Sequence, residues 1–490
     1  ASHPAPPAAM ASGSNPREGL LQPSTLRNLS DKVYEKRKAA ALEVEQLTRD
    51  LVSQGDKVRL QALVDLLVDD FALAQMANHR KGGLIGLAAA TVGLGAEHEP
   101  YLARIVPPVL ESFEDNDSRV RYYACEALYN IAKVARTSFV AHFNEAFDAL
   151  LKLSADTDPN VQNAAHLLDR LVKDIVTEST TFKIDEFIPV LRERLHVLNP
   201  YARQFLVGWI TVLDSVPDID MLEFLPEFLD GLLSMLSDEN REIRQQADVA
   251  IAEFLLEIKK SPHIDFGRLT KILVVRAQSA DVFTQCTATL WLLEFLQLGG
   301  DRMLPYFADV LGAILPLQAH AEEQIRDMAT TTFEELLTLD TAGAAAEEFS
   351  MKEVLEVSRR ELAGGKEATR LAALRTISTL LERSRDAVLP LQGDLLPSLL
   401  GVLSDDSEKV TKQALVVQAD LARDAPQFGE LMSMIMEHFK ANPTLLDTRG
   451  FLIVTQLAAR LGPERVYRAC GSILLGEQDR LPAPPPRGGP

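Results

Sequence analysis

A short motif returns about every 41 residues along this chain, and that repetition limits the fold more than any other feature. Its clearest copy is Ser112–Arg136. An acidic turn, Glu114-Asp115-Asn116-Asp117, precedes Val120, Ala124, Ala127, Leu128, Ile131 and Val134, spaced by three and four as on one helix face. Ser118 stands where an N-cap is expected. Aligning other segments on Val120 gives Lys36, His79, Val161, Ala202, Ile243, Val282, Ile325, Thr369, Val410 and Thr448. The next position is Arg in eight of the eleven copies: Arg37, Arg80, Arg121, Arg203, Arg244, Arg326, Arg370 and Arg449. A small residue follows three places later in nine, with Leu206 and Leu452 as the exceptions.

A period near 40 predicts helical hairpins, each burying its apolar face on its neighbours. The expected fold is all-α, an α-solenoid of about ten or eleven HEAT/armadillo-like helical repeats. Asp156, Asp238 and Asp405 lie six residues before the Arg position, which predicts an Arg-to-Asp ladder between adjacent turns. The structural ladder is expected at Arg80, Arg121, Arg203, Arg244, Arg326 and Arg370. Pro107, Pro108, Pro189, Pro226 and Pro397 fall inside first helices, where they predict kinks. Residues 1–24 and 480–490 read as disordered ends, the former rich in Ala, Pro and Ser and the latter in Pro and Gly. Between them the pattern divides into repeats over 25–340, an irregular linker or hinge at 341–350, further repeats over 351–430 and a different C-terminal region over 431–479.

The net charge of −20 argues against nucleic acid and against strong binding to anionic lipid, since like charges repel at long range. The uncharged run Gly82–Ala96 is too short for a bilayer span, so any membrane contact is peripheral. Its glycines read as close helix packing rather than a phosphate site. Cys125, Cys286 and Cys470 lack metal or redox spacing, and no catalytic motif occurs. The reading is a protein that is not an enzyme and uses no cofactor or metal. One surplus stands out on the Ser112–Arg136 stretch. Arg119, Tyr122, Tyr123, Lys133 and Arg136 are not repeated elsewhere, and Arg and Tyr carry interface energy, so they are candidate partner-binding residues.

Several stretches are more specific. YEKRKAAALE from Tyr34, RKGGLIGLAAA from Arg80, YYACEALYNIAKVAR from Tyr122, LDRLVKDIVTES from Leu168 and FIPVLRER from Phe187 are among them. Together they resemble the Vac-type HEAT-repeat scaffold (ArPIKfyve) family of the PIKfyve phosphatidylinositol-3-phosphate 5-kinase complex. The resemblance implies a non-catalytic, cytoplasmic scaffold, peripheral on endosome, vacuole or lysosome membranes. It implies a PIKfyve-type lipid kinase and a Sac-type phosphoinositide phosphatase as partners, turnover of phosphatidylinositol-3,5-bisphosphate, and self-association. Arg449 and Gly450 match the start of the family's phosphatase-binding region, which on this reading is truncated where the chain turns to Pro and Gly. The alternative is another HEAT adaptor, such as a nuclear-transport receptor.

Overall fold

The computed structural model describes Arg17 and residues 19–261, 264–341 and 349–478. Most of the expected disordered end at 1–24, all of that at 480–490, and the core of the expected hinge, 342–348, lie outside the described residues. Residues 1–250 and 251–490 form two compact units. All regular elements among the described residues are helices.

The first unit begins with α1 (Pro23–Leu29), α2 (Tyr34–Gln54), α3 (Lys57–Leu66) and α4 (Ala77–Leu94). It continues through α5 (Glu99–Glu111), α6 (Ser118–Ala135), α7 (Phe143–Ser154) and α8 (Pro159–Glu178). After α9 (Ile184–Arg194), α10 (Pro200–Asp214) and α11 (Met221–Met235) come the residues of α12 (Arg241–Ile258) as far as Ala250. In the second unit α13 (Phe266–Arg276), α14 (Val282–Gly299), α15 (Phe307–Ile314), α16 (Glu323–Thr338) and α17 (Met351–Gly364) are followed by α18 (Glu367–Val388). Then come α19 (Gln392–Gly401), α20 (Glu408–Leu421), α21 (Ala425–Ala441), α22 (Pro443–Leu461) and α23 (Pro463–Gln478).

Even-numbered helices lie side by side, α2 on α4, α4 on α6 and α6 on α8. The motif explains why. Val120, Ala124, Leu128 and Ile131 are all fully buried on α6, and the small residue at Ala124 lets the neighbouring helix approach. Burying each large aliphatic side chain contributes about 1.5–3 kcal/mol before entropy is subtracted. At α4 the approach is closer still. A Cβ on Gly82 would stand 2.0 Å from the Leu29 carbonyl oxygen, and one on Gly83 would stand 2.3 Å from the Ala72 nitrogen. The prolines Pro107, Pro108, Pro189, Pro226 and Pro397 do sit inside odd-numbered helices.

Some sequence expectations need correction. The N-cap of α6 is Asp117, whose carboxylate accepts from the Arg119 amide at 2.8 Å, and Ser118 is the first helical residue. In α14 the expected motif position Val282 is 44% exposed, and Thr284 is the buried one at 1%. Taking Thr284 restores an unbroken interval of 41 from Val120 through Val161, Ala202, Ile243 and Thr284 to Ile325. In α22 Thr448 is exposed, and burial falls instead on Gly450, Ile453 and Leu457. The expected boundary at 24 is late, since Leu20 and Leu21 are already buried and α1 begins at Pro23. The boundary at 430 falls within α21, where Leu431, Met432 and Ile435 bury as in any repeat.

Residues 367–404 are long and apolar enough to cross a membrane by length and composition alone. They are not one rod: α18 kinks at Ser384 (φ −137°, ψ 47°), and its apolar side chains pack on α17 and α20. Cys125, Cys286 and Cys470 are free thiols, and burial pushes Cys125 up to about 12, which leaves it unreactive.

Candidate docking surface

The turns that set the surface are built from one device. Arg121 projects from the first turn of α6. Its Nη1 donates back to the Asp115 carbonyl at 2.7 Å. Its Nε and Nη2 donate forward to Asp156 of the next turn at 2.7 and 2.8 Å. Arg80 does the same, reaching the Ala74 carbonyl and Asp115 at 3.1 and 3.0 Å. Arg203 bonds the Val197 carbonyl and pairs with Asp238, and Arg370 pairs with Asp405 at 2.7 Å. Each of these four aspartates also accepts an amide two residues ahead, from Asp117, Asp158, Asn240 and Ser407. Arg244 and Arg326, expected in the same ladder, bond only carbonyls of their own turns, Asp238 and Glu239 or His320 and Ala321, among the described residues. Gly364, the residue matching the turn aspartate of the repeat after Arg326, has no carboxylate to offer.

The five α6 candidates separate into distinct environments. Tyr123 stacks on Tyr34 with ring centroids 6.1 Å apart, and its hydroxyl accepts from Arg37 Nη2 at 3.0 Å. The Arg37 guanidinium lies 5.2 Å from the Tyr123 ring, so this tyrosine is held by a cation and an aromatic neighbour at once. Tyr122 meets Tyr123 edge-on at 5.6 Å yet remains 39% exposed. Arg119 is exposed one turn earlier. Lys133 is exposed about 20 Å further along the helix, by its rise of 1.5 Å per residue. Arg136 ends α6 in the left-handed region (φ 44°) and pairs with Glu178 at 3.7 Å. The structure therefore joins Arg119 with Tyr122 and sets Lys133 and Arg136 apart. Glu126, a turn beyond Tyr122, has its carboxyl raised by burial, partly opposed by Lys38.

On α22, Arg449 donates to the Thr411 hydroxyl at 2.5 Å and to the Asp406 carbonyl at 3.3 Å. It ties α22 to α20, and Gly450 is buried beside it. The most exposed large apolar side chains of that region are Phe451 and Tyr467, 87% and 81% accessible.

A groove that the sequence reading did not single out runs across α8, α10 and α12, with a volume of about 870 Å³. Its floor is fixed by charge. Buried Trp209 donates from Nε1 to Asp169 at 2.8 Å, and Lys173 Nζ pairs with the same carboxylate at 2.9 Å. Lys173 also lies 5.3 Å from the Trp209 ring.

Residues 78–174, from α4 to α8, match the family model described as the Vacuolar 14 Fab1-binding region. The chain is 57% identical over 453 residues to the VAC14 homolog of Arabidopsis thaliana, covering 92% of this chain and 61% of that protein. It therefore spans less than two thirds of that relative's length. It is 30% identical over 560 residues to the VAC14 homolog of Schizosaccharomyces pombe, covering 93% of this chain and 69% of that one. It is 26% identical over 608 residues to Vacuole morphology and inheritance protein 14 of Saccharomyces cerevisiae, covering 94% and 69%. Among solved structures, the Kap95:Nup1 complex overlaps 93% of this chain and 59% of that one at 14% identity, with a TM-score of only 0.37. Sequence identity sustained over nearly the whole helical array assigns the chain: it belongs to the VAC14 family.

Proposed function

We propose that this chain is a non-catalytic scaffold that holds a Fab1/PIKfyve-type lipid kinase through the surface built on α4, α6 and α8. The observation that carries the reading is the match of 78–174 to a Fab1-binding region, which covers Arg80, Arg119, Tyr122 and Lys133. A repeat array suits the task, since its helices form an extended, rigid surface on which a partner can be placed. Arg119 and Tyr122 are the docking residues: both are exposed, and both are of types that dominate interfaces. Tyr123, itself held by Arg37, meets Tyr122 edge-on from behind. On this reading the complex makes and turns over phosphatidylinositol-3,5-bisphosphate on endosomal, vacuolar or lysosomal membranes, which the scaffold meets peripherally. A Sac-type phosphatase docks on α22 and α23 around Phe451 and Tyr467, with Arg449 and Gly450 supporting that surface, and self-association uses the same end.

The deciding experiment is co-purification of the full chain with a Fab1/PIKfyve-type kinase. Retention of the kinase by the chain, lost on Arg119→Glu with Tyr122→Ala, is expected. Passage of the kinase through the column unretained would sink the proposal.

A further inference from the structure

The groove across α8, α10 and α12 invites an inference separate from kinase docking. Position 163 on α8 is Asn, position 204 on α10 is Gln and position 245 on α12 is Gln. The interval is 41 each time, so the three carboxamides occupy one position on three consecutive even-numbered helices. All three line the groove across those helices, and none has a hydrogen-bond partner among the described residues. Asn163 and Gln245 are exposed and Gln204 is half-buried. A carboxamide offers one acceptor and two donors side by side, which matches the N–H and C=O of a peptide unit.

The geometry points to a binding groove for an extended peptide segment carrying a basic residue. Packed helices stand 8–10 Å apart, and an extended chain advances about 3.3 Å per residue. A strand crossing the helices therefore brings one peptide unit to a carboxamide about every three residues. Charge selects the side chains. Three ionised groups line the groove, and Lys173 is neutralised by Asp169 at 2.9 Å. Glu242 is exposed and forms no ion pair among the described residues, so the groove presents one uncompensated carboxylate. The chain's net charge of −20 adds attraction of the same sign. Tyr201 and Val249, 54% and 49% exposed, offer apolar contact to the segment's other side chains.

The test uses the full chain and a fluorescein-labelled peptide of about nine residues, Ala-Arg-Ala-Ala-Lys-Ala-Ala-Arg-Ala, read by fluorescence anisotropy at physiological salt. Saturable binding is expected. The triple variant Asn163→Ala, Gln204→Ala, Gln245→Ala weakens it at least tenfold, and Glu242→Gln weakens it severalfold, with melting temperatures unchanged. A backbone N-methylated version of the peptide, equal in charge, also binds at least tenfold more weakly. Equal binding of the methylated peptide, or of one with Glu in place of Arg and Lys, would overturn the proposal. So would unaltered binding by the triple variant or no saturation at millimolar peptide. If the triple variant instead abolishes a concentration-dependent self-association seen by sedimentation, the groove belongs to a second copy and the peptide assignment fails.

Discussion

Arg121 and Asp156 are 35 residues apart in sequence and share two hydrogen bonds, 2.7 and 2.8 Å, across adjacent turns. The distance in sequence is the repeat length of 41 less the six residues that separate each turn aspartate from its own arginine. The same guanidinium also bonds the Asp115 carbonyl behind it. One side chain thus fixes the helix start in its own repeat and the turn of the next. The Asp156 side chain is only 6% exposed and that of Arg121 14%, so the pair is largely shielded from water.

Arg121→Ala leaves that carboxylate shielded, with the Asp158 amide as its one remaining donor among the described residues. Breaking a buried pair by removing one partner typically costs 3–5 kcal/mol, and partial exposure brings the expected loss to about 2–3 kcal/mol. Chemical denaturation of the two proteins checks it. A loss below about 0.5 kcal/mol would return the pair to the class of surface ion pairs.

The pH dependence has a definite sign. Burial raises the Asp156 carboxyl, but the Arg121 hydrogen bond and the Asp158 amide outweigh it and hold it below the ordinary 3.8. A depressed carboxylate contributes stability that is fully present above its unfolded value and is lost as pH falls through the folded one. The difference in melting temperature between the natural chain and Arg121→Ala is therefore largest near about pH 7 and narrows below about pH 4. A gap unchanged at about pH 3 would show that the stabilisation is not ionic.

Glycines in the array divide by what stands over them. Gly83→Ala directs a methyl to within 2.3 Å of backbone at Ala72, which cannot swing aside, so a loss of at least about 2 kcal/mol is expected. Gly208→Ala meets only the Lys173 ammonium at 3.3 Å, the end of a flexible chain, and should change stability by less than about 0.5 kcal/mol. Thermal unfolding of both variants makes the comparison, and equal losses would refute it.

The fold was legible because packing leaves a period. Val120, Arg121 and Ala124 recur at one spacing, and Asp-to-Arg intervals follow from it. The register slipped at α14 because apolarity favoured Val282, whereas the buried position holds Thr284. Tertiary packing overrode composition there. The role of Tyr123 was hidden for another reason: its hydrogen-bond partner Arg37 is 86 residues away, on a helix two repeats back. The carboxamides Asn163, Gln204 and Gln245 were visible at interval 41, but on the exposed face, where a search for buried periodicity does not look.

Trp209 offers a spectroscopic check on the groove floor. Its indole N–H has Asp169 as acceptor at 2.8 Å, and the ring is fully buried. Asp169→Ala strands that donor, with an expected cost of about 1–3 kcal/mol, while Asp169→Asn keeps an acceptor and costs less. Against a Trp291→Phe background, tryptophan emission reports this site alone. Asp169→Ala should shift it and Asp169→Asn should leave it near the original; identical spectra for all three would mean that the carboxylate does not touch the indole.

Tyr122 and Tyr123 are adjacent in sequence and divide between docking and stability. Tyr123→Phe removes the hydroxyl that accepts from Arg37 at 3.0 Å but keeps the ring stacked on Tyr34. It should cost about 1 kcal/mol of stability and leave kinase affinity within about twofold. Tyr122→Ala removes a ring that is 39% exposed and contributes little to the core, so melting should move by no more than a few degrees. At an interface the same truncation typically costs 2 kcal/mol or more, about thirtyfold in affinity. Arg119→Glu should add to the loss, while Lys133→Glu, about 20 Å away along α6, reports whether the docked area extends that far. Affinity measured by interferometry on the kinase, with melting recorded in parallel, separates the two tyrosines. If Tyr123→Phe weakens binding as strongly as Tyr122→Ala, the docking surface is the Tyr34, Arg37 and Tyr123 cluster rather than the exposed edge of α6.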